Sequence, residues 1–254
     1  MINSKLQSER QILVTTPIVT QIEEAVQNVP GWCPIDQLLQ LFTLANASAN
    51  LDGDILELGS WCGRSAIAMG MAIQSSGGSK LHCVDLFPEK KDWHKTPDGD
   101  YSLAVDVDNR NVVAYAHGGQ TVWAEAFERD ISPVYEQFKG TLEAFNYYIS
   151  KNGLSALAKP FKGDLQSFIK MIPIDFKIRM AFIDGDHNYH AVAKDIEIIE
   201  KYLVPGAWIC FDDAFSNYPG VNKAIELHII DSGKYSHYQQ MTRKFFVARF
   251  IGNS

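Results

Sequence analysis

At 254 residues, with 46% apolar and 21% charged positions, the chain fits one α/β domain carrying an insertion, or at most two small domains. A net charge of −7 excludes nucleic acid as the main partner, because phosphate contacts need clustered Lys and Arg. Cys33, Cys62, Cys83 and Cys210 are scattered without disulfide or zinc spacing, no signal peptide pattern opens the chain, and no apolar run nears the ~20 residues of a membrane span, so a cytoplasmic protein with no membrane partner is expected.

Residues 1–50 read as an N-terminal helical segment. Ile22, Ala25, Val26 and Val29 predict a short amphipathic helix over 20–29, ended by Pro30-Gly31, and a second helix follows over 34–45 with Pro34 in its first turn. Asp54–Leu58 then reads as a strand. It runs into the glycine-punctuated turn Gly59-Ser60-Trp61-Cys62-Gly63 and a helix over about 64–73. Strand, tight turn, helix is the first unit of a parallel α/β sheet with a ligand at its C-terminal edge. The turn lacks Gly-x-x-x-x-Gly-Lys-Ser/Thr and does not complete Gly-x-Gly-x-x-Gly, and Glu57 puts an anion where a phosphate would sit. A nucleoside-type cofactor held through hydroxyl and amine groups is the reading.

The second strand, over 80–85, also ends in a carboxylate, Asp85. From Phe87 to about Ser132 no period is evident, and the region is too long for an ordinary connection of about 2–6 residues. It reads as an insertion that builds or covers a substrate pocket like a lid. Helix is predicted over 132–152, a strand over 158–162 leading to Gly163-Asp164, and helix again over 165–171. A buried strand over 179–184 ends in Asp184. The following helix, over 190–203, places Val192, Ile196, Ile199 and Leu203 on one face. Val204-Pro205-Gly206 turns the chain into a strand ending in Asp212-Asp213, then come a helix over 220–230 and a hairpin of strands over 235–241 and 245–250. The alternation predicts a single three-layer α/β, Rossmann-like domain over 1–254, with a mostly parallel seven-stranded sheet and one antiparallel strand near the end.

In such a sheet the strand ends share one edge, which here collects Glu57, Asp85, Asp164, Asp184, Asp212 and Asp213. One acid at a strand end starts a turn or caps a helix. Six together repel one another unless cations or hydroxyl donors are present. Asp184 with Asp212 and Asp213 offers three oxygen ligands suited to Mg²⁺. Zinc would ask for His or Cys ligands, of which only His187 is at hand.

These pieces taken in order, Glu57-Leu-Gly-Ser-Trp-Cys-Gly63-Arg-Ser65, Val84-Asp85, Gly163-Asp164, Ile183-Asp184-Gly-Asp-His187-x-Tyr189, Leu203-Val-Pro-Gly206 and Phe211-Asp212-Asp213, resemble a class I S-adenosylmethionine-dependent methyltransferase. Within that class the chain is similar to the Mg²⁺-dependent macrocin-type sugar and natural-product O-methyltransferases. The resemblance covers about residues 50–86 and 155–225 and leaves 87–150 unmatched. It implies that Glu57, Gly59 and Ser60 surround the methionine portion of S-adenosyl-L-methionine, with Gly63 and Ser65 shaping the turn. Asp85 would take the ribose hydroxyls and Asp164 would lie at the adenine. Asp184, bordering the cofactor, would bind Mg²⁺ with Asp212 and Asp213. A homo-oligomer is implied as well.

Methyl transfer needs an activated hydroxyl oxygen, and the motif offers two bases for its proton, His187 and Asp186. His187 has the better intrinsic pKa, near 6.5. His94 and His117 in the insertion are outside candidates. The expected function is Mg²⁺-dependent O-methylation of a small-molecule hydroxyl acceptor, a sugar or glycosylated natural product. The alternatives are a catechol-type phenol methyltransferase and a cofactor-binding relative without methyl transfer, since related proteins have been described as hydroxylases.

Overall fold

Ile178–Ile183 (β8) is buried at every position, a pattern only a strand covered on both faces tolerates. The computed structural model describes residues 17–114 and 121–252. In it β8 lies at the centre of a seven-stranded sheet with β1 (Asp54–Leu58), β2 (Leu81–Asp85), β7 (Ala158–Lys162), β9 (Leu203–Phe211), β10 (Tyr235–Gln240) and β11 (Phe246–Phe250). Their order is β10-β11-β9-β8-β1-β2-β7. β11 runs antiparallel to both neighbours and the remaining pairings are parallel, as expected.

Strand alternation divides the core into two layers. Ile55, Cys83, Met180, Phe182 and Cys210 face helices Ile18–Val26, Ile35–Ala47, Arg64–Ser76 and Thr141–Lys151. Leu56, Leu58, Ala181, Ile183 and Phe211 face helices Leu165–Phe168, Tyr189–Ile199 and Pro219–Ile225. From β1 the chain builds outward through β2 to β7, then returns to lay β8 and β9 on the other side of β1. The reversal between β1 and β8 opens a crevice at their C-terminal ends, where open α/β sheets bind ligands.

The insertion has more order than its sequence suggested. β3 (Trp93–Lys95), β4 (Tyr101–Val107) and β5 (Arg110–Ala114) form a second, antiparallel sheet, and β6 (Thr121–Val122) also pairs with β4. Asp108 and Asn109 join β4 to β5 with φ of 48° and 61°, the two-residue turn whose twist suits a hairpin. Val122, Phe127 and Ile131 form a small core of their own, with Trp61, Trp93 and Tyr101 packed on it. The helix expected over 132–152 is two helices, Ser132–Gln137 and Thr141–Lys151. They part where Gly140 adopts extended backbone to bridge Glu89. β9 starts earlier than expected, at Leu203, so Val204-Pro205-Gly206 lies within the strand.

Candidate functional site

Gly59, after β1, has φ +86°, and a Cβ there would fall 2.0 Å from the backbone oxygen of Asp184. Only glycine lets the loops after β1 and β8 pass this closely. Gly63, φ +90°, starts the helix Arg64–Ser76 against the Phe145 ring. Glu57 fastens the turn between them. It is fully buried and accepts from the hydroxyls of Ser60 at 2.6 Å and Ser65 at 2.5 Å. Burial pushes its carboxyl up to about 7. The Glu57 side chain thus braces the turn and the helix start, whose Gly59, Ser60 and Ser65 line a cavity.

That cavity is about 1090 Å³. That is at the upper end of the ~300–1,000 Å³ typical of a small-molecule site. Asp85 lines one part, accepting from the backbone N–H of Trp61 at 2.9 Å and of Phe87 at 2.5 Å. Burial raises its carboxyl above the usual range. Asp164 lines the same part as N-cap of the helix Leu165–Phe168, accepting from Ser167 N–H at 2.9 Å. It also takes a two-pronged contact from Arg110 of the inserted sheet, at 2.8 and 3.1 Å. Burial raises its pKa, but Arg110 and Ser167 outweigh that and hold it below the ordinary carboxylate value. The insertion is thus pinned to the rim where the adenine was expected. Asp195, which sequence reading passed over, lines the cavity as well, its carboxyl pushed up to about 8 by burial. It stands one helical turn after Ala191, which also lines the cavity.

The other part holds the acids expected for a metal. Asp184, Asp212 and Asp213 each offer an oxygen, all within 4.8 Å of one another. Burial, then the carboxylates of Asp212 and Asp213, drive Asp184 well above the usual range. Gln37 Nε2 donates to Asp212 Oδ1 at 2.9 Å, while the buried Gln37 Oε1 has no hydrogen-bond partner. His187 Nε2 lies 2.9 Å from Asp213 Oδ2, and its ring stacks on Tyr218 at 4.1 Å. Burial opposes the charge on Asp213, but His187 and Lys244 hold its carboxyl below the ordinary value. Lys244 Nζ lies 2.8 Å from Asp212 Oδ2 and 3.3 Å from Asp213 Oδ1. Burial disfavours its ammonium, yet the two aspartates raise it above the usual lysine range. Asp186 lines the cavity and accepts from the N–H of Asn188 at 2.6 Å.

Three hard oxygen donors at this spacing, with the orphaned acceptor of Gln37 beside them, fit Mg²⁺. The predicted site residues other than Glu57 and Gly63 line one cavity, where Gly59, Ser60, Gly163 and Asp85 lie on the β1 and β2 side of the acid triad. His94, in β3, is exposed, and His117 lies outside the described residues. Sequence reading missed Gln37, Arg110 and Lys244 because each reaches the site from an element distant in the chain.

A family model described as a methyltransferase domain, Methyltransf_24, matches residues 56–214. Solved structures share the fold at low identity. The O-methyltransferase NovP is 14% identical, with a TM-score of 0.59 over 85% of this chain and 80% of that one. An O-methyltransferase from Bacillus cereus, in complex with SAH, is 15% identical, with a TM-score of 0.56 over 96% of both chains. CalS11, a calicheamicin methyltransferase, is 20% identical, with a TM-score of 0.56 over 97% and 91%. A protein of Acanthamoeba polyphaga mimivirus is 41% identical over 69 residues, a match spanning 24% of this chain and 30% of that protein's length. Among the described residues no helix is long and apolar enough to cross a membrane.

Proposed function

Because this chain belongs to the methyltransferase-domain family, we propose that it moves the methyl group of S-adenosylmethionine to a hydroxyl oxygen of a small molecule, with Mg²⁺ held by Asp184, Asp212 and Asp213. The observation that supports this reading is that one cavity is lined both by the Gly59 turn with Asp85 and by an acid triad. A sugar or glycosylated natural product is the acceptor class to test first. CalS11, among the similar folds, is a TDP-rhamnose 3'-O-methyltransferase.

Asp85 accepts the ribose hydroxyls, for which each carboxylate oxygen keeps a lone pair beside its backbone N–H bond. The bare backbone at Gly59 lets the donor approach the strand end. Displacement at the methyl carbon needs the acceptor oxygen, carbon and sulfur nearly in line, and donor and acceptor bound in the same cavity would lie at the two ends of that line. When bound, Mg²⁺ supplies the charge that lowers the pKa of an acceptor hydroxyl. His187 takes that proton. The Asp213 carboxylate can only accept, so His187 Nε2 carries the hydrogen of their contact.

The test is methyl transfer to a panel of glycosides and phenols, with and without EDTA. EDTA-sensitive transfer to glycosides is expected. Transfer to phenols alone moves the acceptor to the catechol class, and no transfer to either panel with SAH still bound favours a cofactor-binding relative. His187→Ala should lower kcat about 10²–10⁴-fold and remove the acid limb of the pH profile. If Asp186→Asn does this and His187→Ala does not, the base is Asp186.

A further inference from the structure

We propose that Lys244 is a resident counter-cation of the Asp184, Asp212 and Asp213 triad, keeping the carboxylates together without a metal and weakening the grip of any divalent ion that binds them. The proposal rests on the metal reading above. Each of the four carboxylate oxygens of Asp212 and Asp213 has a protein partner: Gln37 and Lys244 on Asp212, Lys244 and His187 on Asp213. Lys244 is the one aliphatic ammonium among them, and it spans both residues.

Its place is built in. Lys244 sits in the turn between β10 and β11, and that turn is tied to the loop after β9. The N–H of Ala214 donates to the Lys244 carbonyl at 2.9 Å. The Gln240 side-chain amide reaches the carbonyls of Ala214, Thr242 and Arg243. β11 itself pairs with β9 up to Phe246 against Phe211, which sets how far the turn extends over Asp212. The Lys244 side chain is only 26% exposed, so water screens its charge incompletely.

Three nearby carboxylates without a cation repel one another, and Lys244 removes part of that repulsion. A divalent ion on the same oxygens then sits within a few ångströms of an ammonium, and the two cations repel. The triad is thereby preformed before metal arrives, and the metal is held weakly enough for a chelator to strip it.

Mn²⁺ titrated into EDTA-treated protein, with the free ion read by electron paramagnetic resonance, tests this on wild type, Lys244→Met and Lys244→Arg. Lys244→Met should bind Mn²⁺ at least about ten-fold more tightly than wild type, and Lys244→Arg should stay within about three-fold, since it keeps the charge. Should Lys244→Met not fold, Lys244→Gln takes its place with the same expectation. A neutral variant that binds Mn²⁺ no more tightly than wild type, while calorimetry shows it still takes up S-adenosylhomocysteine, overturns the proposal. So does failure of wild type and neutral variant alike to bind Mn²⁺ at millimolar concentration. Failure of wild type to bind S-adenosylhomocysteine would instead strike the methyl-donor reading and leave the Mn²⁺ comparison standing.

Discussion

The two edges of the sheet bury charge in opposite ways. At the N-terminal edge, Arg179 of β8 is 1% exposed, and its guanidinium donates to the Ala45 carbonyl at 2.8 Å, Ser48 Oγ at 2.7 Å and Ser79 Oγ at 2.9 Å. A single cation meets neutral acceptors; burial disfavours its charge, which Asp54 offsets in part. At the C-terminal edge, three carboxylates crowd within 4.8 Å and depend on Lys244 and His187 for relief. The first arrangement is satisfied and ties β8 to the helix Ile35–Ala47. The second is held in tension, which marks it as the place where ligands supply what the fold leaves incomplete.

Exchanging charge at each edge should separate stability from function. Asp213→Asn is expected to cut methyl transfer by at least about 10²-fold, because it removes a metal ligand and the partner of His187. Its stability should change by no more than about 1 kcal/mol, since it also relieves repulsion within the triad. Arg179→Leu is expected to do the reverse. It should lower unfolding stability by about 3 kcal/mol in a urea titration, by stranding buried acceptors, and leave affinity for S-adenosylhomocysteine intact.

Glu57 gives a pH-dependent effect of similar size. Its folded pKa of about 7 lies above the ordinary glutamate value, so the folded state binds a proton more tightly than the unfolded one. The stability this confers is complete below about pH 4.3 and is lost as pH rises through about 7. Across that window the contribution amounts to about 3 kcal/mol. Glu57→Gln should flatten the fall in stability between pH 5 and 8, as followed by chemical denaturation, whereas an unchanged slope would assign it to other buried acids. The smallest effect is expected at Arg110→Ala. It frees Asp164 and unpins the inserted sheet from the cofactor rim, at a stability cost of about 1 kcal/mol in the same titration, because Arg110 and Asp164 are both partly exposed.

The central sheet was legible because its signals are local. Apolar runs such as Met180–Ile183 followed by an acid, Asp184, fix both the strands and the edge they share. The insertion was legible too, in part. Leu103, Val105 and Val107 alternate before Asp108-Asn109, the period and turn of a hairpin, but a run of scattered aromatics hides them. What the chain does not display locally is who reaches whom. Lys244 reads as an ordinary hairpin turn residue, and it becomes part of the acid site only through the register of β11 on β9. Glu57 has the sequence position of a ligand residue, but two serines, three and eight residues on, turn its carboxylate inward.

The central claim, that one cavity holds a methyl donor beside a separate acid site, is tested most directly by calorimetric titration of S-adenosylhomocysteine into wild type, Asp85→Asn and Asp213→Asn. The prediction is one-site binding to wild type, at least about ten-fold weaker binding to Asp85→Asn, which loses an acceptor for the ribose hydroxyls, and unchanged binding to Asp213→Asn. Absence of binding to wild type at millimolar ligand, or equal losses in both variants, would contradict it.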